Sequence, residues 1–158
     1  MEFTQSATYP LDVDSVIRMS TDPAFLDMRF GRFMAANPEV TVKGDTITYV
    51  GTVNPELIPA IARPFTKNGI TLTFTEAWTR TEEGATAHTE VAVGAPVSAA
   101  VDSTLTPDGD GCARALNGTI TVNVPLVGGR VEKEAVARVG HAFDREHQLA
   151  AEWAAKQG

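Results

Sequence analysis

The last thirty or so residues contain the pattern that most limits the folds open to this chain. From about Arg130 to Lys156, apolar residues recur at helical spacing without a proline. A helix of about 27 residues is about 40 Å long at 1.5 Å per residue, which is too long to cover only the end of a sheet. The pattern therefore predicts one continuous helix that lies across a sheet, and a curved sheet would wrap around it.

The rest of the chain alternates between apolar and polar residues at the spacing of strands. The opening EFTQSATYP predicts a first strand, which is followed by a helix from Asp12 to about Met19. Asp22-Pro23 supplies a capping oxygen and a first-turn proline, and it predicts a second helix that ends near Ala36. Six further strands are predicted in VTVK, TITYVGTV, ITLTFTEAWTR, ATAHTEVAVG, PVSAAVDSTLT and CARALNGTITVNVP.

Short turns join these strands and predict an antiparallel sheet. Gly44-Asp45, Glu83-Gly84 and the stretch PDGDG each separate two alternating runs. Asn117-Gly118 is also a common hairpin dipeptide, but it follows PDGDG so closely that a bulge or bend within one long strand is favoured. The order of one strand, two helices, six strands and a long helix is typical of an α+β fold.

Three stretches of the sequence carry a resemblance to a known superfamily. They are STDPAFLDMRFGRF, GITLTFTEAW, and VPLVGGRVEKEAV with the later EHQLAAEW. Together with the order of elements, they resemble the helix-grip fold of the START-like (SRPBCC) superfamily, which includes the birch pollen allergen and lipid-transfer domains. The resemblance covers residues 1–158 as a single domain, and it is to an uncharacterised bacterial branch.

The resemblance implies a fold and a cavity but no chemistry. It implies a curved antiparallel sheet of about seven strands wrapped around the C-terminal helix, with two short helices after strand one and a hydrophobic cavity between sheet and helix. It implies no catalytic residues, because the superfamily supports many functions.

Composition excludes several classes of partner. The net charge is −7, so the basic stripe that nucleic acid requires is absent. The sequence contains no run of 18 apolar residues, so it predicts no membrane span, and MEFTQSATYP does not resemble a secretory signal. Cys112 is the only cysteine, which is typical of a reducing compartment, and a cytoplasmic location is expected.

Glu146 interrupts the apolar side of the predicted C-terminal helix. An ionised carboxylate is costly to bury without a partner. Arg29, within the apolar side of the second helix, and Arg114, in the inward series of the last strand, are the candidate partners. Three interpretations remain open for Glu146: contact with water in a groove, a structural ion pair, or a polar group of a ligand cavity.

Glu76 raises the same question, because it shares a strand face with Phe74 and Trp78. It lies either at a solvated strand end or in the cavity, and Trp78 lies either in the core or against a ligand. Small residues on strands that face a helix leave room for a ligand, as at Ala99, Val101, Ser103 and Ala115. The residues predicted to line a ligand-binding cavity are Arg29, Phe30, Phe33, Tyr49, Ile58, Ile61, Phe65, Phe74, Glu76, Trp78, Arg114, Leu116, Phe143, Glu146 and His147.

Residues 54–69, NPELIPAIARPFTKNG, form an unusually apolar predicted loop. Three prolines prevent a regular strand, yet the segment contains Leu57, Ile58, Ile61 and Phe65. Such a loop is a packed lid, a mobile gate over the cavity, or a contact with a membrane or another protein.

The sequence favours binding over catalysis. His141, Asp144 and His147 are not spaced to ligate one metal ion from a helix, and no cofactor motif or catalytic nucleophile with its base is present. No metal and no cofactor are therefore predicted. The first hypothesis is a protein that binds a hydrophobic small molecule or lipid. The second is a cyclase-like or hydrolase-like enzyme that uses Glu146 or Glu76 as acid or base, and the third is an interaction protein with a filled core. The sequence does not indicate an oligomeric state.

Overall fold

The computed structural model describes residues 1–35, 38–58, 60, 63–94 and 96–157, with the side chain of Phe65 left out. One seven-stranded antiparallel sheet has the order β1-β7-β6-β5-β4-β3-β2. All the strands predicted from the sequence are present. Their bounds are β1 (Glu2–Tyr9), β2 (Glu39–Lys43), β3 (Thr46–Thr52), β4 (Thr71–Arg80), β5 (Ala85–Val93), β6 (Val97–Asp108) and β7 (Gly111–Val122).

Two short helices follow β1, and their caps agree with the sequence. Asp12 accepts a hydrogen bond from the Ser15 amide at 2.8 Å at the start of α1 (Val13–Ser20). Asp22 accepts one from the Ala24 amide at 2.9 Å at the start of α2 (Pro23–Phe30). These bonds satisfy amides that have no partner within the helix.

The predicted end of α2 near Ala36 is wrong, because the helix ends at Phe30 and a 3-10 turn covers Gly31–Phe33. Gly31 directly follows the last residue of α2, and glycine is a poor helix former. A Cβ atom at Gly31 would lie 2.5 Å from Asp27 Oδ1, so the Asp27 side chain occupies the space that a side chain at position 31 would need.

The C-terminal segment is helical over the predicted range, but the prediction of one continuous helix is wrong. It consists of α3 (Gly128–Asp144) and α4 (Glu146–Gln157), with Arg145 between them. The Arg145 amide donates to Ala142 O at 3.2 Å, a bond to the third preceding residue in place of the fourth. The interruption allows the two helices to pack on different elements: α3 lies on β7 and β1, whereas α4 contacts β1, α1 and α2.

The inner face of the sheet and the helices enclose the core. Tyr9, Ile47, Phe74, Trp78 and Leu105 are buried on this face, together with residues of α1, α2 and α4. Trp153 of α4 donates from Nε1 to Asp22 Oδ2 at 2.8 Å, so the cap of α2 also fixes the end of the chain.

Asn117-Gly118 lies within one long β7, as predicted, and the pairing of β7 with β1 and β6 continues through it without a bulge. The residues of β7 that face inward are the even-numbered ones from Cys112 to Val122. The interpretation of Ala115 as inward is therefore wrong, because its exposed side chain lies on the outer face of the sheet.

No helix in the part of the chain that the structure describes is long and apolar enough to cross a membrane.

We expect Gly118→Ala to destabilise the protein by about 1–3 kcal/mol, the usual cost of overpacking. A Cβ atom at Gly118 would lie 2.5 Å from the ring of Phe3 and 2.9 Å from Val101. Gly129→Ala is the control, because no atom lies within 4 Å of its Cβ position and alanine favours a helix. Urea unfolding measures both, and an equal change in the two variants would contradict the packing argument.

Candidate functional site

A cavity of about 310 Å³ lies between the inner face of the sheet and helices α2 and α3. Its walls are mainly apolar, and polar residues are few. The lining residues are Phe3, Arg29, Phe30, Phe33, Leu72, Phe74, Glu76, Thr89, Val91, Val93, Val97, Ser98, Ala99, Val101, Arg114, Ile120, Ala135, Val139, Ala142, Phe143 and Glu146.

Side-chain sizes explain why space remains at this place. Ala99 and Val101 are inward residues of β6, and Ala135 and Ala142 are on the facing side of α3. None of these side chains is long enough to cross the gap between sheet and helix, whereas protein cores are otherwise closely packed.

A cluster of aromatic side chains lies at the side of the cavity next to α2. The ring of Phe30 lies 5.5 Å from the ring of Tyr49 and 5.3 Å from that of Phe74, both in tilted geometry. Such tilted pairs are the favoured arrangement of aromatic rings, so this wall is well defined.

A buried ion pair joins α2 to the start of α4 at the cavity wall. An Nη atom of Arg29 donates to Glu146 Oε1, and the Tyr9 hydroxyl donates to the same oxygen at 3.2 Å. The Arg29 side chain is 12% exposed and that of Glu146 is 3% exposed. The carboxylate that interrupts the apolar side of the helix thus has one of the two partners predicted from the sequence.

A second ion pair lies on the inner face of the sheet. Arg114 donates from Nη2 to Glu76 Oε2 at 3.2 Å and from Nε to the Ser103 hydroxyl at 3.2 Å. Thr89 donates to Glu76 Oε2 at 2.7 Å, and Trp78 Nε1 donates to Glu76 Oε1 at 3.0 Å. Both oxygens of this buried carboxylate are therefore hydrogen-bonded, as a buried charge requires.

The two pairs act on one another electrostatically. Burial alone would raise the pKa of Glu76, but the attraction of Arg114 and Arg29 and the bonds from Thr89 and Arg114 outweigh it and hold the pKa below its ordinary value. Burial alone would lower the pKa of Arg114, but the attraction of Glu76 outweighs burial and raises the pKa above its ordinary value. Arg29 follows the same rule, with Glu146 and Glu76 outweighing burial to raise its pKa. Both arginines are therefore charged.

Burial and the nearby Glu146 carboxylate raise the pKa of the Tyr9 hydroxyl far above its ordinary value. Tyr9 is therefore neutral and acts as a hydrogen-bond donor. We name Tyr9, Arg29, Glu76, Arg114 and Glu146 the polar cluster. It contains two cations and two anions, and it can orient a polar group of a molecule held among the apolar walls.

The structure separates the residues predicted to line the cavity into several groups. Tyr49, Trp78 and Leu116 are buried in the core outside the lining, and Ile58 is buried without lining the cavity. His147 is on the surface, where its Nδ1 lies 3.0 Å from the Thr8 hydroxyl. Ile61 and the side chain of Phe65 lie outside the described residues. The predicted residues at the cavity wall are Arg29, Phe30, Phe33, Phe74, Glu76, Arg114, Phe143 and Glu146.

Sequence reasoning missed Tyr9 and Thr89. Both lie on the inward face of a strand whose apolar and polar residues alternate. Tyr9 shares this face of β1 with Phe3 and Ala7, and Thr89 shares that of β5 with Ala87 and Val91. Because threonines occur mostly on the outer face of this sheet, Thr89 is not distinguished by residue type. Its role follows only from the sheet register, which pairs it with Glu76.

Asn54, at the start of the apolar segment 54–69, lies beside the 3-10 turn after α2, where its amide donates to Phe33 O at 2.8 Å. Ile58 is buried, whereas Leu57 is 42% exposed. That this segment gates the cavity stays a prediction.

Among the described residues, no group of three or more His, Cys, Asp or Glu side chains is arranged to hold a metal ion.

Comparisons with known proteins identify the fold. The model of one protein family, described as a protein of unknown function (DUF2505), matches residues 4–154. No curated protein matches the sequence.

Three solved structures illustrate the likeness. A START superfamily protein from Mycobacterium smegmatis has 12% identity and a TM-score of 0.59 over 96% of this chain and 98% of that chain. A STAR-related lipid transfer protein from Xanthomonas axonopodis has 16% identity and a TM-score of 0.57 over 94% and 85%. The Zhui aromatase/cyclase from Streptomyces sp. R1128 has 15% identity and a TM-score of 0.59 over 96% and 92%. At these identities the likeness concerns the fold alone, and it confirms the START-like, helix-grip fold predicted from the sequence.

We expect Arg29→Met or Glu146→Leu alone to lower the free energy of unfolding by about 3 kcal/mol, because each leaves one buried charge without its partner. The double variant should recover most of this loss, since it removes both charges. Urea unfolding of the four proteins gives the coupling energy. Arg138→Met, from the exposed pair with Glu134, is the control and should cost less than about 1 kcal/mol. Additive losses in the double variant would contradict the pairing.

We expect the stabilisation by Glu76 to depend on pH. Its pKa is lower in the folded state than the ordinary value of 4.5, so the stabilisation is fully present above about pH 4.5 and is lost as the pH falls through the folded-state pKa. The melting temperature of the parent should therefore approach that of Glu76→Gln as the pH falls below about 4.5. A constant difference between the two proteins through this range would contradict the lowered pKa.

Proposed function

We propose a ligand-binding function for this chain, which belongs to the DUF2505 family of proteins of unknown function and has the START-like fold. The chain binds a hydrophobic small molecule or single-chain lipid in the cavity between the sheet and α3. The observation that carries the proposal is an apolar cavity of about 310 Å³ with a buried polar cluster in its wall.

The composition of the wall supports this function. Ligand sites in proteins are concave and mainly apolar, with a few polar groups that fix orientation, and their volumes range from about 300 to 1,000 Å³. Valines and phenylalanines supply the apolar part here, and Arg29 and Glu146 are polar residues within reach of the same space. The structural likeness to a STAR-related lipid transfer protein is consistent with such a ligand.

The energetic cost of an empty cavity also supports the binding of a ligand. A core residue loses contacts where it faces a void, and native cores contain few voids larger than a water molecule. A ligand that fills the cavity restores contacts for residues such as Phe74, Val91 and Phe143. We place this binding in the cytoplasm, an expectation that the single, buried Cys112 supports.

The test compares two substitutions on neighbouring residues of β6. Ala99 lines the cavity, whereas Ala100 is exposed on the outer face of the sheet. We expect Ala99→Leu to weaken binding of the uncharged fluorophore N-phenyl-1-naphthylamine at least about fivefold, since overpacking costs about 1–3 kcal/mol. Ala100→Leu should bind it as the parent does.

Fluorescence titration measures the affinities, and native mass spectrometry of the purified parent searches for a co-purified ligand. Failure of the parent to bind the fluorophore, or equal affinity in both variants, would overturn the proposal.

A further inference from the structure

We propose that the ligand presents an uncharged hydrogen-bonding group, such as a hydroxyl, ketone or amide, to Arg29 and Glu146, and that carboxylates are disfavoured. This inference rests on the proposed function and specifies the chemical class of its ligand.

The charges of the polar cluster are balanced. The cations Arg29 and Arg114 are each paired with an anion, Glu146 and Glu76 respectively. The cluster therefore has no net charge, and Arg114 and Glu76 are only 2% exposed. A carboxylate entering from water would lose its hydration and find no unpaired cation, so it would leave one uncompensated charge in a buried site.

Arg29 and Glu146 can make further hydrogen bonds. A guanidinium has five N–H donors. Within the described part of the chain, Arg29 makes one side-chain hydrogen bond, to Glu146. Glu146 accepts hydrogen bonds from Arg29 and Tyr9, and both end at Oε1. Oε2 can therefore accept a hydrogen bond from a ligand. The pair therefore offers both donors and an acceptor next to the cavity, which suits a neutral group that accepts a bond, or accepts and donates at once.

By contrast, both carboxylate oxygens of the second pair already have partners. Glu76 accepts hydrogen bonds at Oε1 and at Oε2, and Arg114 donates to Glu76 and Ser103. This pair therefore supports the site, while Arg29 and Glu146 meet the ligand.

The cavity volume limits the size of the ligand. At about 30 Å³ per water molecule of liquid, 310 Å³ corresponds to about ten waters, which is the size of a molecule with about two or three rings. We therefore choose naphthalene probes of nearly equal shape. They are 2-acetylnaphthalene, a neutral ketone; 2-naphthoate, an anion at neutral pH; and 2-ethylnaphthalene, which has no polar atom.

Isothermal titration calorimetry of the parent with the three probes separates this inference from the proposed function. We expect the ketone to bind at least about tenfold more tightly than 2-naphthoate. If neither the ketone nor 2-ethylnaphthalene binds, the proposed function is wrong, and this inference falls with it. If the ketone binds but 2-naphthoate binds as tightly or more tightly, only the uncharged-ligand inference is wrong.

A charge substitution tests the cause of the preference. Glu146→Gln leaves the cluster with one excess positive charge and should shift the ratio of the two affinities at least about tenfold towards 2-naphthoate. Glu134→Gln changes the net charge of the protein equally but removes an exposed carboxylate of α3, and it should leave the ratio unchanged. An equal shift in both variants, or none in Glu146→Gln, would overturn the inference.

A pH series on the parent gives the same test without a variant, should Glu146→Gln not fold. If the site binds the neutral acid at least about tenfold more tightly than its anion, the apparent affinity for 2-naphthoate should rise at least about threefold as the pH falls from about 7.5 to about 4.5, close to the ordinary pKa of a carboxylic acid. The affinity for the ketone should stay constant. A 2-naphthoate affinity that does not rise over this range would overturn the inference.

Discussion

Two buried arginine–glutamate pairs hold together elements that are distant in the sequence. One pair joins α2 to the start of α4, with Tyr9 of β1 bonded to the same carboxylate, and the other joins β4 to β7. Neither member of a pair can be buried alone, because an unpartnered charge in this environment costs several kcal/mol. The helices and the sheet must therefore meet in one arrangement, and the pairs form part of the wall of the cavity that the small side chains of β6 and α3 leave open.

Much of this arrangement can be predicted from the sequence. Period-two alternation and turn residues predict the strands, and the caps at Asp12 and Asp22 predict where α1 and α2 begin. Arg29, Arg114, Glu76 and Glu146 attract notice because a charged residue within an apolar series has a cost that something must offset. Which arginine meets which glutamate depends on the packing of α2 against α4, and that information is not local.

The features that could not be predicted depend on tertiary contacts. The interruption at Arg145 has no glycine or proline to mark it, and it follows from the different partners of α3 and α4. The burial of Thr89 depends on the register of β5 with β4, and the positions of Tyr49 and Trp78 in the core depend on how α1, α2 and α4 pack on the sheet. Alternation identifies a face of a strand, but it does not show which part of that face is filled.

The interruption at Arg145 also has a consequence for how such proteins diverge. Ala135, Val139, Ala142 and Phe143 of α3 line the cavity, whereas α4 reaches it with Glu146, its first residue, and is anchored to Asp22 through Trp153. A substitution in α3 therefore changes the shape of the cavity, while the contact that fixes the end of the chain lies in a separate helix. The shape of the cavity can change through α3 without loss of the stability that Trp153 of α4 supplies.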